Sequence, residues 1–278
     1  MLDGVVKIGG AKGNNHNNTL VDLANRVRNG ERWVLCHGVS GAMDALCSAA
    51  GMEPRYVVSP SGYRSRFVTD REMMLFEKAS FSETAKICFA LGTMGIPVMP
   101  IDPMNTTLVH GKVKDVIRAR EGSKTILLRG NRSGKITSID QEEILVIIER
   151  GFLPIFPPLA RDENVPRYIN IDGDRLAGSI AASCNARTLV LLTNTPGLLE
   201  DVDNPESLIR EITLEEWHIA ERAAKGNMKR KLLACREALE GGLQEAIIAD
   251  SRIENPITNA ISGGGTHLWR ARSTEIAV

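Results

Sequence analysis

Six consecutive residues, Thr188-Leu189-Val190-Leu191-Leu192-Thr193, contain no charge and no turn-former. A strand that is apolar on both faces needs cover on both, and a parallel sheet with helices packed above and below supplies it. Shorter runs repeat the signal. Residues 5–8, 33–36, 96–101, 153–156 and 245–249 read as further strands. Between them lie stretches of helical spacing: 16–29 (with Leu20, Leu23, Ala24 and Val27), 40–50, 70–94, 140–150, 173–184, 214–224 and 228–240. Strands alternating with helices predict the α/β class, a three-layer αβα sandwich with a mainly parallel central sheet. Residues 126–129 and 134–139 read as a hairpin around Gly130-Asn131-Arg132-Ser133. Proline and charge interrupt the pattern at 157–166, which predicts an N-terminal lobe over 1–160 and a C-terminal lobe over 161–278 on one continuous sheet.

Composition limits the partners. Lys+Arg and Asp+Glu are both 34, so the chain has no net charge to draw it to nucleic acid or to an anionic membrane. No apolar run reaches spanning length, and the first residues lack the basic-then-apolar plan of a leader. Five scattered cysteines without a CxxC pair read as reduced thiols, so a cytoplasmic protein without a metal site is expected.

Ligands of such sheets sit beyond the carboxyl ends of the strands. Three glycine loops lie there: Lys7-Ile8-Gly9-Gly10, His37-Gly38-Val39-Ser40-Gly41 and Asn194-Thr195-Pro196-Gly197. Glycine lets backbone N–H groups approach an anion, although a glycine pair also serves a plain turn. A lysine closing an apolar strand adds weight, because a cation there needs an anionic partner. Two standard phosphate loops are excluded. Residues 130–136 are one residue short of a P-loop and carry Ile136 at its Ser/Thr position, and no G-x-G-x-x-G follows the first strand. The absence of G-x-S-x-G argues against a serine hydrolase. Further along, Asn170-Ile171-Asp172-Gly173-Asp174 opens a helix, where acidic residues are ordinary caps. Lys225-Gly226-Asn227-Met228-Lys229-Arg230-Lys231 opens another with the wrong sign of charge for the helix dipole, which points to an anion held there.

KIGG at 7–10, HG with a small residue at 37–40, VTD at 68–70, NIDGD at 170–174, LLTNTPGLL at 191–199 and GNMKRK at 226–231 occur in that order. Together they resemble the amino acid kinase family, and within it the acetylglutamate kinase branch. SPSGYRSRFVTDRE at 59–72, with the later SGKI, resembles the kinases of lysine biosynthesis that act on a carrier protein. Those phosphorylate the side-chain carboxylate of L-2-aminoadipate, or glutamate, attached through its amino group to a small acidic carrier. The resemblance implies MgATP as the donor and an acyl phosphate as the product. It places Lys7 and Lys231 on the transferring phosphoryl group and the leaving phosphate, and Asp174 between them as organiser. It assigns Gly9, Gly10, Gly38, Val39 and Ser40 to phosphate contact. Asn170 with Arg64 or Arg66 would bind the acyl-amino acid. Thr193, Asn194, Pro196, Gly197 and Met228 would line the nucleotide pocket. Val39 departs from a usual glycine and Asn194 from a common Asp, and the tip at 130–134 lacks the acidic and aromatic residues of carrier-dependent kinases.

Between 112 and 135 stand Lys112, Lys114, Arg118, Arg120, Lys124, Arg129, Arg132 and Lys135, opposed only by Asp115 and Glu121. This block would steer an acidic partner, against the plainer reading of a solvated hairpin. No aromatic residue lies within it to stack a base, so nucleic acid is not expected. The helix at 70–94 has Met73, Met74, Phe76, Phe81, Ile87, Cys88 and Leu91 spread around it. Such a helix is deeply buried or shared between subunits, and the family's usual assembly implies a homodimer. Competing readings are an N-acetyl-L-glutamate, carbamate or nucleoside monophosphate kinase, and a catalytically silent ligand-binding regulator.

Overall fold

The computed structural model describes residues 2–11, 16–60, 62–122 and 124–271. In chain order the N-terminal half runs β1 (Gly4–Ile8), α1 (His16–Arg28), β2 (Trp33–His37), α2 (Ser40–Ala49), β3 (Tyr56–Val58), β4 (Arg64–Arg66), α3 (Asp70–Thr93), β5 (Val98–Pro100), β6 (Val109–Val113), β7 (Ile117–Glu121), β8 (Lys124–Leu128), β9 (Gly134–Ile139), α4 (Gln141–Glu149) and β10 (Leu153–Phe156). There follow β11 (Leu159–Asp162), β12 (Tyr168–Asn170), α5 (Gly173–Ser183), β13 (Thr188–Thr193), β14 (Glu211–Thr213), α6 (Trp217–Ala223), α7 (Met228–Glu240), β15 (Glu245–Asp250), α8 (Pro256–Ile261) and β16 (Thr266–Trp269).

Eight strands form the central sheet in the order β14-β16-β15-β13-β1-β2-β10-β5. Only β15 and β16 pair antiparallel, so the expected mainly parallel sheet is present. β13 and β1 occupy the middle, and every residue of both is buried. Gly4 has no side chain because a Cβ would lie 2.4 Å from the Trp33 ring. One face of the sheet packs on α4, α5, α6 and α7, the other on α1, α3 and α8. A four-stranded sheet, β12-β11-β6-β9, and two separate hairpins, β3-β4 and β7-β8, stand beside it.

α3 starts on a capping box, with Thr69 and Glu72 satisfying each other's backbone N–H groups. The helix is not buried all round. Met73, Phe76, Ile87 and Leu91 are buried, whereas Met74 and Phe89 are 65% and 76% exposed.

Two expectations change. Residues 126–139 do not form a hairpin: β8 pairs with β7, and β9 pairs with β6. The turn lies one step earlier, at Gly122 with φ +61. The supposed turn is a crossing with Asn131 buried in it, where Asn131 donates to the carbonyls of Lys114 and Ser133 at 2.8 and 3.0 Å. The interruption at 157–166 also contains a strand, β11.

Candidate active site

Alternation along β1 decides where Lys7 points. Val6 and Ile8 pack on the α1/α3/α8 side and Val5 on the α5/α7 side, so Lys7 shares Val5's face. Its ammonium meets Asp174, the second residue of α5, at 2.7 Å. Lys231, in the first turn of α7, lies 3.2 Å from both oxygens of the same carboxylate. Lys7 and Asp174 are 7% and 8% exposed. Burial opposes the charge on Asp174, but Lys231 and Lys7 outweigh it and hold the carboxyl well below its usual range. Burial lowers Lys231 in spite of Asp174. Two ammonium groups around one carboxylate leave a surplus positive charge in a poorly hydrated place, which favours an anion.

The helix starts explain why these groups converge. Asp172 caps α5 by accepting from the N–H groups of Asp174 and Arg175. Its other task is to pair with Arg230 at 2.8 Å. The basic start of α7 is thus held by two aspartates of α5, which offset the unfavourable dipole.

The glycine loops lie against this triad. A Cβ on Gly10 would fall 2.2 Å from the Gly38 carbonyl carbon, and one on Gly38 would fall 2.8 Å from the Gly10 nitrogen. The two backbones touch, so neither position accepts a side chain. Gly38 donates its N–H to Ile8 at 2.9 Å and therefore has none to spare for a phosphoryl oxygen, contrary to expectation. Among the described residues the N–H groups of Gly10, Val39 and Ser40 have no acceptor. Ser40 opens α2, whose positive end adds to the attraction. The carbonyl of Gly9 lies 2.9 Å from His16 Nε2. Val39 has φ −135 and needs no glycine.

The acyl-substrate candidates form a second group. Asn170 ends β12 and donates from Nδ2 to Ser133 Oγ at 2.8 Å. Arg64 stacks on Tyr56, with Cζ 3.7 Å from the ring centroid. Arg66 is paired with Asp44 of α2 and donates to the Tyr56 hydroxyl at 3.1 Å. Arg66 does not touch the triad. The link is Arg230, which donates to the Arg64 carbonyl at 3.5 Å while holding Asp172.

The nucleotide candidates lie at the end of β13. Thr193 is buried and its carbonyl accepts from Ser251 at 2.7 Å. Asn194 is exposed and Pro196 half-buried. Gly197 is pinned, since a Cβ there would sit 2.6 Å from Thr266 Oγ1. Met228 opens α7 and packs on the core. A groove of about 280 Å³ between α5 and α7, lined by Arg175, Ser179 and Glu237, does not include the triad. Sequence reasoning missed Asp44, Tyr56, Arg230 and Thr266 as partners. Only Arg230 carried a signal, as the neighbour of Lys231 in a helix start of the wrong charge.

The description "Amino acid kinase family" fits residues 4–250 of this sequence. The chain belongs to that family. It is a phosphotransferase, a kinase. A LysW-aminoadipate kinase of Deinococcus radiodurans is 36% identical over 264 residues, covering 94% of this chain and 90% of the relative. A LysW-aminoadipate kinase of Thermus thermophilus is 33% identical, covering 94% and 98%. A LysW-aminoadipate/LysW-glutamate kinase of Sulfolobus acidocaldarius is 28% identical, covering 86% and 90%. Solved structures share the fold. An N-acetylglutamate synthase from Neisseria gonorrhoeae matches with TM-score 0.79 at 22% identity over 96% of this chain and 59% of that one. A carbamate kinase from Giardia lamblia bound to AMP-PNP matches with TM-score 0.66 at 16% identity, over 96% and 98%. No helix of the described residues is long and apolar enough to cross a membrane.

Proposed function

We propose that the protein transfers the γ-phosphoryl group of MgATP to the side-chain carboxylate of L-2-aminoadipate, or glutamate, carried on a small acidic protein. The observation that carries the phosphoryl-transfer reading is the Lys7–Asp174–Lys231 triad facing uncommitted N–H groups. A carboxylate is already a nucleophile, so no general base is required, and catalysis becomes positioning plus charge neutralisation. Lys7 holds the moving phosphoryl group, Lys231 the leaving phosphate, and Asp174 fixes the distance between the two ammonium groups. The N–H groups of Gly10, Val39 and Ser40 take equatorial oxygens. The described residues contain no cluster of His, Cys, Asp or Glu able to cage a metal, so magnesium would enter on the nucleotide's phosphates and share in neutralising them.

The carboxylate acceptor follows from the relatives named for LysW-bound aminoadipate. In this reading Asn170 with Arg64 or Arg66 receives the amino-acid portion, and the N-terminal part of the sheet serves the acceptor while the C-terminal part serves ATP. The acidic carrier docks on the β7–β8 hairpin, whose Arg118, Arg120 and Lys124 are exposed. Lys112 and Arg132 are less available, being paired with Glu163 and Asp70. The exposed Met74 and Phe89 of α3 offer the surface for a homodimer.

Hydroxylamine trapping with MgATP tests the reading. Acyl-hydroxamate is expected from carrier-bound aminoadipate or glutamate and not from the free N-acetyl amino acids. Strong product from free N-acetyl-L-glutamate would replace the carrier-bound substrate by the free one.

A further inference from the structure

Gly38 lies between two residues whose side chains turn away from the triad. Val39 is buried in a cluster with Met43 of α2 and with Met73, Phe76 and Ala79 of α3. His37 is fully buried at the end of β2, and its Nε2 lies 2.8 Å from Thr84 Oγ1 in the middle of α3.

Thr84 Oγ1 also lies 2.9 Å from the carbonyl oxygen of Ser80 in the same helix. Imidazole and hydroxyl can each donate or accept, so the neutral ring bonds Thr84 in either tautomer. Burial, aided by His16 and Lys7 and opposed by a backbone contact with Gly38, lowers the imidazole pKa to about 4. His37 is therefore neutral near pH 7. It adds no third cation to the triad, and a carboxylate nucleophile asks for no base. Its remaining capacity is mechanical: a directed bond from the end of β2 to α3.

We propose that His37 and Val39 are positioning residues that fasten Gly38 to α3 from both sides. They hold the phosphoryl-binding N–H groups of Val39 and Ser40 in register with Lys7. This rests on the reading of that loop as the phosphoryl site. α3 is suited to the task because it begins directly after the acyl-substrate strand β4 and reaches Thr84 within the same rigid element. One helix would thereby align the acceptor carboxylate with the phosphoryl group it attacks.

The test uses the full chain with His37→Leu, His37→Gln, Thr84→Val and Val39→Gly, comparing kcat and KM for ATP and acceptor, with thermal unfolding as a fold check. His37→Leu and Thr84→Val should each lower kcat about 10- to 100-fold, with KM for ATP changed by less than about threefold. The double variant should be no worse than the worse single one. Val39→Gly should lower kcat in the same manner. His37→Gln, whose side-chain N–H can reach Thr84, should recover most of the loss. Its kcat–pH profile should parallel the wild type's, since His37 is neutral over the range. Folded Thr84→Val or His37→Leu enzyme with normal kcat would overturn the inference, as would a glutamine variant no better than leucine, or one that abolishes an acid limb. If His37→Leu does not fold, the near-isosteric Thr84→Val decides. Wild-type enzyme forming no acyl phosphate from any acceptor would instead overturn the reading of the loop, whereas active wild type beside unimpaired variants overturns this inference alone.

Discussion

Lys7 stands on a strand whose five residues are all buried between two parallel neighbours, whereas Arg66 stands on a three-residue strand paired only with another of the same length. The first is held by the register of the main sheet, and its neighbours Asp174 and Lys231 enter from helix starts packed on that sheet. The second is held by side chains: Asp44, Tyr56 and, through the Arg64 carbonyl, Arg230. The contrast teaches where each function resides. On the proposed reading, the core would fix the phosphoryl chemistry, and the choice of acceptor would be left to small attachments that can change without disturbing it. Solved structures as different in name as a carbamate kinase and an N-acetylglutamate synthase share the fold, as this division allows.

The sharpest way to break the contrast is Asp174→Asn. Two buried ammonium groups would lose the anion they share, at a cost of about 3–5 kcal/mol in chemical denaturation. The carboxyl is held below its ordinary value, so its contribution is present above the usual carboxylate range and disappears as pH falls through the folded-state value. The variant should lack that acid-side loss. Wild-type stability in Asp174→Asn would mean that the triad is not the rigid end of the site. Next in size, Lys7→Ala should lower kcat about 10²- to 10³-fold with little change in KM for ATP, because its work is done in the transition state. A change confined to KM would make Lys7 a binding group.

At the soft end, reversing Arg118, Arg120 and Lys124 to Glu should raise KM for the carrier-bound acceptor about tenfold and flatten its salt dependence. Unfolding should shift by less than about 0.5 kcal/mol, as for surface changes. An unchanged KM would return the hairpin to a merely solvated one. The smallest effect belongs to Asp44→Asn. It frees the Arg66 fork for a substrate carboxylate and should lower acceptor KM by about two- to fivefold, the scale of one partly exposed ion pair. A rise in KM would show that Asp44 orients Arg66 rather than competing for it.

The same division decided what the sequence could reveal. TLVLLT and GVVKI could be placed because burial on both faces leaves a continuous apolar run. β3, β4, β12 and β14 are three residues each, too short for any periodicity to show. The mistaken hairpin had an equally good turn on paper; only the burial of Asn131 distinguishes a crossing from a turn, and burial of a polar side chain is not written in local sequence. In the site, Lys7 stood out as a cation near the end of an apolar strand and Lys231 as part of a basic helix start, while the family resemblance supplied the roles of both and of Asp174. The Arg66–Asp44 pair joins a hairpin to a different helix, and no spacing rule connects them. Val39 departs from a usual glycine, yet its backbone is ordinary and its side chain is buried against α2 and α3.

The central position of β1 also sets how the enzyme fails. Its amides are bonded on both sides to β2 and β13, so they should exchange with deuterated solvent only when the whole sheet opens. Edge strand β5 and the β7–β8 hairpin can open and close far more often without reaching Lys7. Mild heating would thus impair acceptor recognition first and leave the phosphoryl centre intact until the molecule unfolds as a unit, and an acylating reagent would mark the hairpin lysine long before it found the one in the triad.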